Sequence, residues 1–400
     1  MFVVHINLTD KGSTGTIAYD ILKGLENTEN SGLVFVGGYN SKPKGAITFQ
    51  SKFRLRFNQV IAKLFDFEDK IAKKETKRLV KQLKKLNPDI VHLHNIHGYF
   101  INYKILFDYI KSANKKVVWT LHDCWAFTGH CAYFDMAKCD KWKTGCGKCP
   151  NLKKYPNSWF FDRSSSLYKT KKAVFSGVKD MTIVCPSQWL AELVKQSYLS
   201  DYPIKVINNG INLEDFKIID NHTFDNVVDR SKKIILGVAS PFGERKGYSN
   251  YISLSKIIDK EKYQIVMCGV NEEQVKELES YDIVGITRTD SKQKLAELYS
   301  LAYCFVNMTF EDNFPTVNIE ALACGLPIIT YNTGGSVEVI TEDNGIVVEQ
   351  GDIEAVKMAI YNMSEYDRQK IADNAIKKYS SEIMANAYIN LYKMVKGENE

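Results

Sequence analysis

The feature that most constrains this chain is a repeated alternation of short apolar runs with longer stretches of helical periodicity. Strands that alternate with helices form parallel sheets covered by helices on both faces. We therefore predict an α/β protein with doubly wound sheets. The predicted strands lie at residues 2–8, 33–36, 90–94, 117–121, 181–185 and 204–207, and then at 234–239, 265–268, 283–285, 305–307, 328–330 and 346–348.

The length and a break in the pattern predict two domains. A chain of 400 residues exceeds one typical core. Turn-forming residues at 208–212 precede a polar stretch, after which the strands restart. We predict Rossmann-like domains over 1–207 and 208–375, and a C-terminal helix over 376–400 that could return to the first domain. Because such sheets bind ligands at the carboxyl ends of their strands, we expect the active site in a cleft between the facing domains.

Composition predicts a cytoplasmic protein. Charged residues make up 25% and hydrophobic residues 44% of the chain, as in soluble globular proteins. The sequence has neither a long apolar run of spanning length nor a basic signal region at its start. The nine cysteines are unevenly spaced, which favours reduced thiols or a metal site over a disulfide framework.

A segment from Asp312 to Thr330 has the pattern of a ligand site. Pro315 suits the start of a helix, and Gly325 with Pro327 would end it. The unpaired N–H groups of the first turn, 316–318, would attract an anion such as a diphosphate. Glu320, one turn further on, and Asp312 could each accept hydrogen bonds from a diol. The alternative is an ordinary amphipathic helix with solvated acids.

A second candidate loop, 240–247, follows the first strand of the second half. Arg245 and Lys246 stand directly before Gly247. A guanidinium fork and a mobile ammonium would both stabilise a diphosphate and the charge that grows on a leaving nucleotide. The alternative is a solvated turn with two surface cations.

The spacing of Asp312 and Glu320 resembles the two-carboxylate signature of the family 4 retaining glycosyltransferases, which have the GT-B fold. In that family the second carboxylate binds the ribose and the first contacts the donor sugar, while a Lys-Gly pair, here Lys246-Gly247, binds the phosphates. The first acid is usually Glu, and Glu311 lies beside Asp312. Pro241 stands where the family usually has Arg, so Arg245 is taken as its substitute.

The Asp-Asn-Phe-Pro form of the signature resembles the branch that builds bacterial capsular, O-antigen and colanic acid type exopolysaccharides. The resemblance implies a catalytic set, a donor set and an acceptor set. The catalytic residues would be His122, Asp312 and Lys246; the donor would contact Arg245, Lys246, Asp312, Asn313, Phe314, Pro315, Thr316, Val317, Glu320 and Gly15; the acceptor would contact Gly12, Ser13, Thr14, His94 and His97.

Three of these assignments also rest on position. His122 and Asp123 form a polar pair at the carboxyl end of a predicted strand, and the family's matching histidine touches the donor hexose. His94 and His97 end another strand, where a core role or a metal site with His92 is the alternative. The glycines of 12–15 allow close backbone approach beside a helix N-terminus, although a tight turn would also explain them.

A four-cysteine cluster is the candidate structural zinc site. Cys131, Cys139, Cys146 and Cys149 end in a Cys-x-x-Cys pair, and four thiolates can bind zinc tetrahedrally. Free thiols or a disulfide are the alternatives. No cofactor is expected for catalysis, because Asp-x-Asp is absent from the sequence and cations would neutralise the diphosphate in place of a divalent metal.

The net charge of +6 is concentrated in one stretch. Residues 52–85 carry twelve Lys or Arg and four Asp or Glu, a net +8, on two helical patterns with apolar positions that include Phe57 and Val60. One interpretation is that the helices pack on the core and expose their charged face to solvent. The other is that this basic face makes peripheral contact with the anionic inner face of a membrane. Nucleic acid is not expected as a partner, because no aromatic interleaving accompanies the charge.

We therefore predict a retaining hexosyltransferase that moves a sugar from a nucleotide-diphosphate sugar to a saccharide acceptor in surface polysaccharide synthesis, and we expect this acceptor to be lipid-linked. The alternatives are a nucleotide-sugar epimerase or phosphorylase of the same fold, and a saccharide-binding scaffold without chemistry.

Overall fold

The computed structural model describes residues 1–39, 45–220 and 223–398. It divides into two compact units. Unit 1 comprises Met1–Asn208 with the segment that starts at Glu382, and unit 2 comprises Asn209–Ser381. The division after residue 208 lies one residue beyond the expected boundary of 207.

Unit 1 is a parallel sheet flanked by helices. The strand order is β3-β2-β1-β4-β5-β6-β7. The strands are β1 (Phe2–Thr9), β2 (Ser31–Tyr39), β3 (Ala46–Thr48), β4 (Ile90–Leu93), β5 (Lys116–Thr120), β6 (Met181–Cys185) and β7 (Ile204–Val206). The helices are α1 (Gly12–Glu26), α2 (Lys52–Phe65), α3 (Lys73–Leu86), α4 (Tyr103–Ser112), α5 (Ser164–Phe175) and α6 (Gln188–Lys195). Strands β4 and β6 are buried at every position, as expected where helices cover both faces of a sheet.

Unit 2 repeats this organisation with a second parallel sheet in the order β10-β9-β8-β11-β12-β13. The strands are β8 (Lys233–Val238), β9 (Tyr263–Cys268), β10 (Ile283–Ile286), β11 (Cys304–Asn307), β12 (Ile328–Tyr331) and β13 (Gly345–Val348). The helices are α7 (Tyr248–Ser255), α8 (Glu272–Glu279), α9 (Lys292–Leu301), α10 (Thr316–Ala323), α11 (Ile353–Tyr361) and α12 (Arg368–Tyr379). In both sheets strands are added on one side of the first strand and then on its other side, which is the Rossmann pattern.

Every predicted strand is found, so the α/β, doubly wound prediction is confirmed. Strand β3 was not predicted, because it has three residues and lies at the sheet edge beside β2. The expected single helix over 376–400 is replaced by the end of α12 and by α13 (Ser381–Lys396). Ser380 is extended, with φ −69° and ψ 147°, and this separates the two helices.

Helix α13 belongs to unit 1 and covers the face of its sheet. Met384, Tyr388 and Tyr392 are buried there against apolar side chains of β1 and α1, including Val3 and Ile17. Their spacing of four residues puts one apolar stripe on the sheet. The C-terminal segment therefore completes the core of the first unit.

Candidate functional site

The donor loop predicted in unit 2 is held in place by a glycine. Residues Glu244–Lys246 form a 3-10 turn after β8, and Gly247 follows with φ +77°. A Cβ atom on Gly247 would lie 2.3 Å from the carbonyl oxygen of Met308, just beyond β11. Only glycine fits this close approach, which brings the turn against the segment that leads into α10.

Arg245 is bound to that segment through both its backbone and its side chain. The Phe310 N–H donates to the Arg245 carbonyl at 2.8 Å, and Arg245 Nη1 donates to the Glu311 carbonyl at 2.5 Å. The guanidinium thus supports the loop before Asp312. Its predicted contact with a donor phosphate would have to be made by the remaining N–H groups.

Lys246 and Asp312 are brought together, as neighbours in one site should be. The Lys246 ammonium donates to a carboxylate oxygen of Asp312 and forms an ion pair with it, and the two side chains are 19% and 14% exposed. A partly buried pair of this kind is stronger than a surface ion pair. Opposite charges from two separate loops therefore meet beside the start of α10.

Helix α10 begins with Thr316 after Pro315, which occupies the N-cap position one residue earlier than a helical proline would. In the described chain no side chain caps this N-terminus. Its first N–H groups and the positive end of the helix dipole thus suit an oxygen anion. Thr316 and Val317 are half-buried at this end.

Glu320 lies one turn into α10, where the side chains of Tyr299 and Thr316 hydrogen-bond to it; the Tyr299 hydroxyl donates to Oε2 at 3.3 Å. Burial raises the pKa of Glu320 from 4.5 to about 7, and the bonds from Thr316 and Tyr299 oppose that rise. A desolvated carboxyl group with few hydrogen-bond partners is suited to forming hydrogen bonds with the hydroxyl groups of a ligand. This is the role that the resemblance implies for it.

The predicted donor residues Asn313, Phe314 and Pro315 are buried. The Phe314 ring packs in the core of unit 2, and its carbonyl accepts a 3.0 Å hydrogen bond from Asn209 Nδ2. The Asn313 N–H is held by Asp312 Oδ1 at 3.0 Å. These residues fix the turn into α10, and their expected contact with the donor stays a prediction.

A buried polar network that sequence reasoning missed anchors α10 to the sheet. Asn307 Nδ2 at the end of β11 donates to Asn318 Oδ1 at 2.7 Å, and Asn318 Nδ2 donates to the Ser336 carbonyl at 3.0 Å. The Thr330 hydroxyl lies 3.4 Å from that of Ser336. The sequence signal for this network was the presence of Asn307 and Asn318 within apolar runs. Neither position indicated which residue it would hydrogen-bond to.

In unit 1, His122 is the end of a chain of three imidazoles. His122 Nε2 lies 3.2 Å from His94 Nδ1, and His94 Nε2 lies 3.0 Å from His5 Nδ1. Burial lowers the pKa of His122 to about 4 and that of His5 to about 3, and it also holds the pKa of His94 well below its usual range. All three rings are therefore neutral at physiological pH, and His122 can donate or accept one hydrogen bond without carrying charge.

His94 and His97 are buried, and their expected contact with the acceptor stays a prediction. His94 is 1% and His97 is 5% exposed. His97 Nε2 lies 2.9 Å from Asp123 Oδ2, and its Nδ1 lies 3.0 Å from the Tyr155 hydroxyl. Because the ring nitrogens of both histidines have internal partners, they support the end of the sheet and hold His122 and Asp123.

A metal site from His92, His94 and His97 is also not assembled. Among the described residues one other group, His5, His92 and His94, brings potential ligand atoms within 4.8 Å of one another. Both nitrogens of His92 are in hydrogen bonds, to the Tyr392 hydroxyl at 2.6 Å and the Thr120 hydroxyl at 2.8 Å. The group is best described as a hydrogen-bonded core that joins α13 to the sheet.

The segment Gly12-Ser13-Thr14-Gly15 forms the first turn of α1 rather than a loop before it. A Cβ atom on Gly15 would lie 2.5 Å from the carbonyl carbon of Asp10, so the close backbone approach is real. In the part of the chain described, no side chain caps this N-terminus. It remains a candidate contact for an anionic or hydroxylated ligand.

The four-cysteine cluster is only partly gathered. The Cys131 thiol donates to the Cys149 sulfur, which lowers the pKa of Cys149 to about 7, and Cys146 Sγ accepts from the Gly129 N–H at 3.2 Å. In a tetrahedral zinc site the sulfurs lie roughly 3.8 Å apart. No three of the four are within 4.8 Å of one another among the described residues. The loop would have to close before it could bind zinc.

Two sequence models of known families match the chain. "Glycosyltransferase Family 4" matches residues 18–215 and "Glycosyl transferases group 1" matches residues 219–379. WcaC of Escherichia coli (strain K12), named for colanic acid biosynthesis glycosyl transfer, is 26% identical over 324 residues, 76% of each chain. CapM of Staphylococcus aureus, a capsular polysaccharide biosynthesis glycosyltransferase, is 25% identical over 209 residues, which are 48% of this chain and 55% of CapM.

Solved structures show the same fold. Sucrose-phosphate synthase from Thermosynechococcus elongatus superposes with a TM-score of 0.72 at 15% identity and full coverage of both chains. HepE of Anabaena, solved in complex with UDP, superposes with a TM-score of 0.67 at 14% identity over 98% of this chain and 100% of its own. At these identities the likeness establishes the fold alone, and it confirms the predicted GT-B class.

Proposed function

Because this chain belongs to the family 4 glycosyltransferases, we propose that it transfers a sugar from a nucleoside-diphosphate sugar to a saccharide acceptor in the synthesis of a capsular or colanic acid type polysaccharide. The pairing of Lys246 with Asp312 at the start of α10 carries this proposal. It joins a phosphate-binding cation to an acid of the sugar-binding signature. The similarity to WcaC, of colanic acid biosynthesis, and to CapM, of capsular polysaccharide biosynthesis, supports the choice of polysaccharide.

The donor would be bound mainly by unit 2. Its diphosphate would contact Lys246 and the first N–H groups of α10, and its ribose diol would bind Glu320. The complexes of HepE with UDP and with UDP-glucose support a uridine nucleotide as the first donor to test. Asp312 would then exchange its bond with Lys246 for hydroxyl groups of the donor sugar.

We propose transfer with retention of configuration. The bond between the anomeric carbon and the diphosphate oxygen breaks as the acceptor oxygen bonds to the same face, and the acceptor proton passes to the departing phosphate. Lys246 and the α10 N-terminus would stabilise the negative charge that grows on that phosphate. His122, neutral because burial lowers its pKa, would hydrogen-bond to a hydroxyl of the donor sugar and orient the reacting carbon.

A lipid-linked acceptor and peripheral membrane contact complete the proposal. In the described part of the chain no helix has both the length and the apolarity to cross a bilayer. The exposed face of α3 carries Lys73, Lys74, Lys77, Arg78 and Lys81. Clustered cations of this kind attract an anionic lipid surface, with a strength that falls as salt screens them.

A two-step assay tests the proposed function. A panel of nucleotide sugars is first screened by thermal shift, and the stabilising donors are then assayed for nucleoside diphosphate release with and without membrane extract. We expect release that depends on the extract and is lost in Glu320→Ala. Conversion of the donor without an acceptor would instead indicate an epimerase, phosphate-dependent turnover a phosphorylase, and binding without turnover a scaffold.

A further inference from the structure

Helix α2 of unit 1 exposes an apolar ridge that its amphipathic pattern does not explain. Phe53 is 76%, Phe57 49% and Val60 46% exposed, and they lie on one helical face at spacings of four and three residues. The face that packs inward uses Leu55, Asn58 and Ala62 instead. Phe57 and Val60, two apolar positions of the predicted helical pattern, are therefore exposed and do not belong to the core.

The loop that contains Trp159, Phe160 and Phe161 extends this apolar ridge. The Trp159 N–H donates to the Lys63 carbonyl at 2.7 Å, which fixes the loop to the end of α2. The Phe161 ring stacks on Phe65 with their centroids 5.9 Å apart. Trp159 is 40%, Phe160 72% and Phe161 52% exposed. Large apolar side chains clustered in this way mark an interaction surface.

The exposed charges of residues 52–85 all have the same sign, whereas Asp162, directly after the loop tip, is an exposed acid. The four acids of residues 52–85 point inward and are at most 7% exposed: Asp66, Glu68, Asp69 and Glu75. Three of them form ion pairs, Glu68 with Lys171 at 3.0 Å, Asp69 with Lys104 at 2.8 Å and Glu75 with Arg54 at 3.0 Å. The outward faces of α2 and α3 therefore present cations without intervening acids.

We propose that an apolar anchor on unit 1 inserts into the headgroup layer of an anionic bilayer. This anchor comprises the ridge of α2 and the tip of the loop, namely Phe53, Phe57, Val60, Trp159, Phe160 and Phe161. Tryptophan and phenylalanine beside lysine and arginine are typical of segments that lie in a membrane interface. The cations of α3, a helix joined to α2 by the Arg54–Glu75 ion pair, match anionic headgroups. The inference rests on the proposed membrane contact and adds an apolar anchor that salt does not screen.

Vesicle binding tests the anchor with the full chain. Phe160→Ser/Phe161→Ser is compared with the wild type on neutral phosphatidylcholine vesicles and on vesicles containing anionic phosphatidylglycerol, at low and at high salt. We expect the wild type to bind anionic vesicles and to remain partly bound at high salt. The double variant should bind at least tenfold more weakly and be released completely by salt.

Two matched controls separate charge from insertion. Val206→Ser/Met394→Ser removes exposed apolar side chains elsewhere in unit 1 and should bind like the wild type. Lys73, Lys74, Lys77 and Arg78 changed to Glu should abolish binding, whereas reversal of the exposed Lys169, Lys172, Lys179 and Lys205 should weaken it far less. Thermal unfolding confirms that each variant is folded.

Several results would overturn the anchor. Equal salt resistance in the wild type and the double serine variant would show that the aromatic tip does not insert. Concentration-dependent self-association of the wild type that the serine variant loses would assign the surface to a second copy of the chain. Donor binding and nucleoside diphosphate release with a soluble acceptor should be unchanged in the variant, so failure of the anchor is distinguishable from failure of the proposed transfer.

Discussion

Lys246 forms an ion pair with Asp312, although the two residues lie on separate loops of unit 2. Removing only the cation would leave the Asp312 carboxylate beside a bound diphosphate. Lys246→Ala should therefore lower turnover about a hundredfold and weaken nucleoside diphosphate binding. Adding Asp312→Asn should recover about tenfold of that affinity without restoring turnover. Calorimetry measures nucleoside diphosphate affinity for the wild type, the two single variants and the double variant, with the exposed Lys262→Ala as control. Affinity losses of the single variants that simply add in the double variant would contradict the coupling.

Glu320 should make unit 2 less stable as pH rises. Burial raises its pKa from 4.5 to about 7, so between these values the folded protein holds a proton that the unfolded chain has released. The stabilisation is complete below pH 4.5 and lost by about pH 7, a change on the order of 2 kcal/mol after partial solvent screening. Glu320→Gln should thus melt higher than the wild type at pH 8 and similarly at pH 4.5. The same Tm difference at both pH values, or an equal effect of the exposed Glu342→Gln, would refute this.

His122 should affect chemistry more than nucleotide binding. Its proposed partner is the sugar, so His122→Ala should lower kcat by at least tenfold while the nucleoside diphosphate Kd changes little. Because burial lowers its pKa to about 4, the ring stays neutral between pH 6 and 8. The ratio of wild-type to variant rates should then be constant over that range. A ratio that changes near pH 6.5 would mean that the imidazole titrates during turnover.

Activity should persist when divalent metals are removed. Lys246, Arg245 and the α10 N-terminus would compensate the diphosphate charge that magnesium or manganese otherwise neutralises. We expect less than a twofold change in initial rate in excess chelator. Loss of activity that magnesium or manganese restores would show that the donor binds with its metal.

The cysteine loop gives a prediction about metal content. If Cys131, Cys139, Cys146 and Cys149 close around zinc, purified protein should contain one zinc per chain. Cys146→Ser should then release the metal and lower the Tm of unit 1, whereas the buried Cys185→Ser should leave the metal content unchanged. Protein purified under reducing conditions without zinc would establish that the loop holds free thiols, as the Cys131–Cys149 hydrogen bond already permits.

The sequence alone determined the two sheets and the donor segment. Apolar runs with strand or helix periodicity are local signals, and they located every strand except the three-residue β3. The segment from Asp312 to Glu320 was recognisable for the same reason, since its acids, proline and glycine lie within one helix and its flanking turns.

Only the tertiary structure decided how side chains pair and which way they face. It buried His94 and His97 as internal partners, and it joined Asn307 to Asn318 and Ser336. It also turned the four acids of residues 52–85 inward and left Phe57 and Val60 exposed. These outcomes depend on groups distant in the chain, such as Lys171 for Glu68, because desolvating a charge requires a partner that no local pattern specifies.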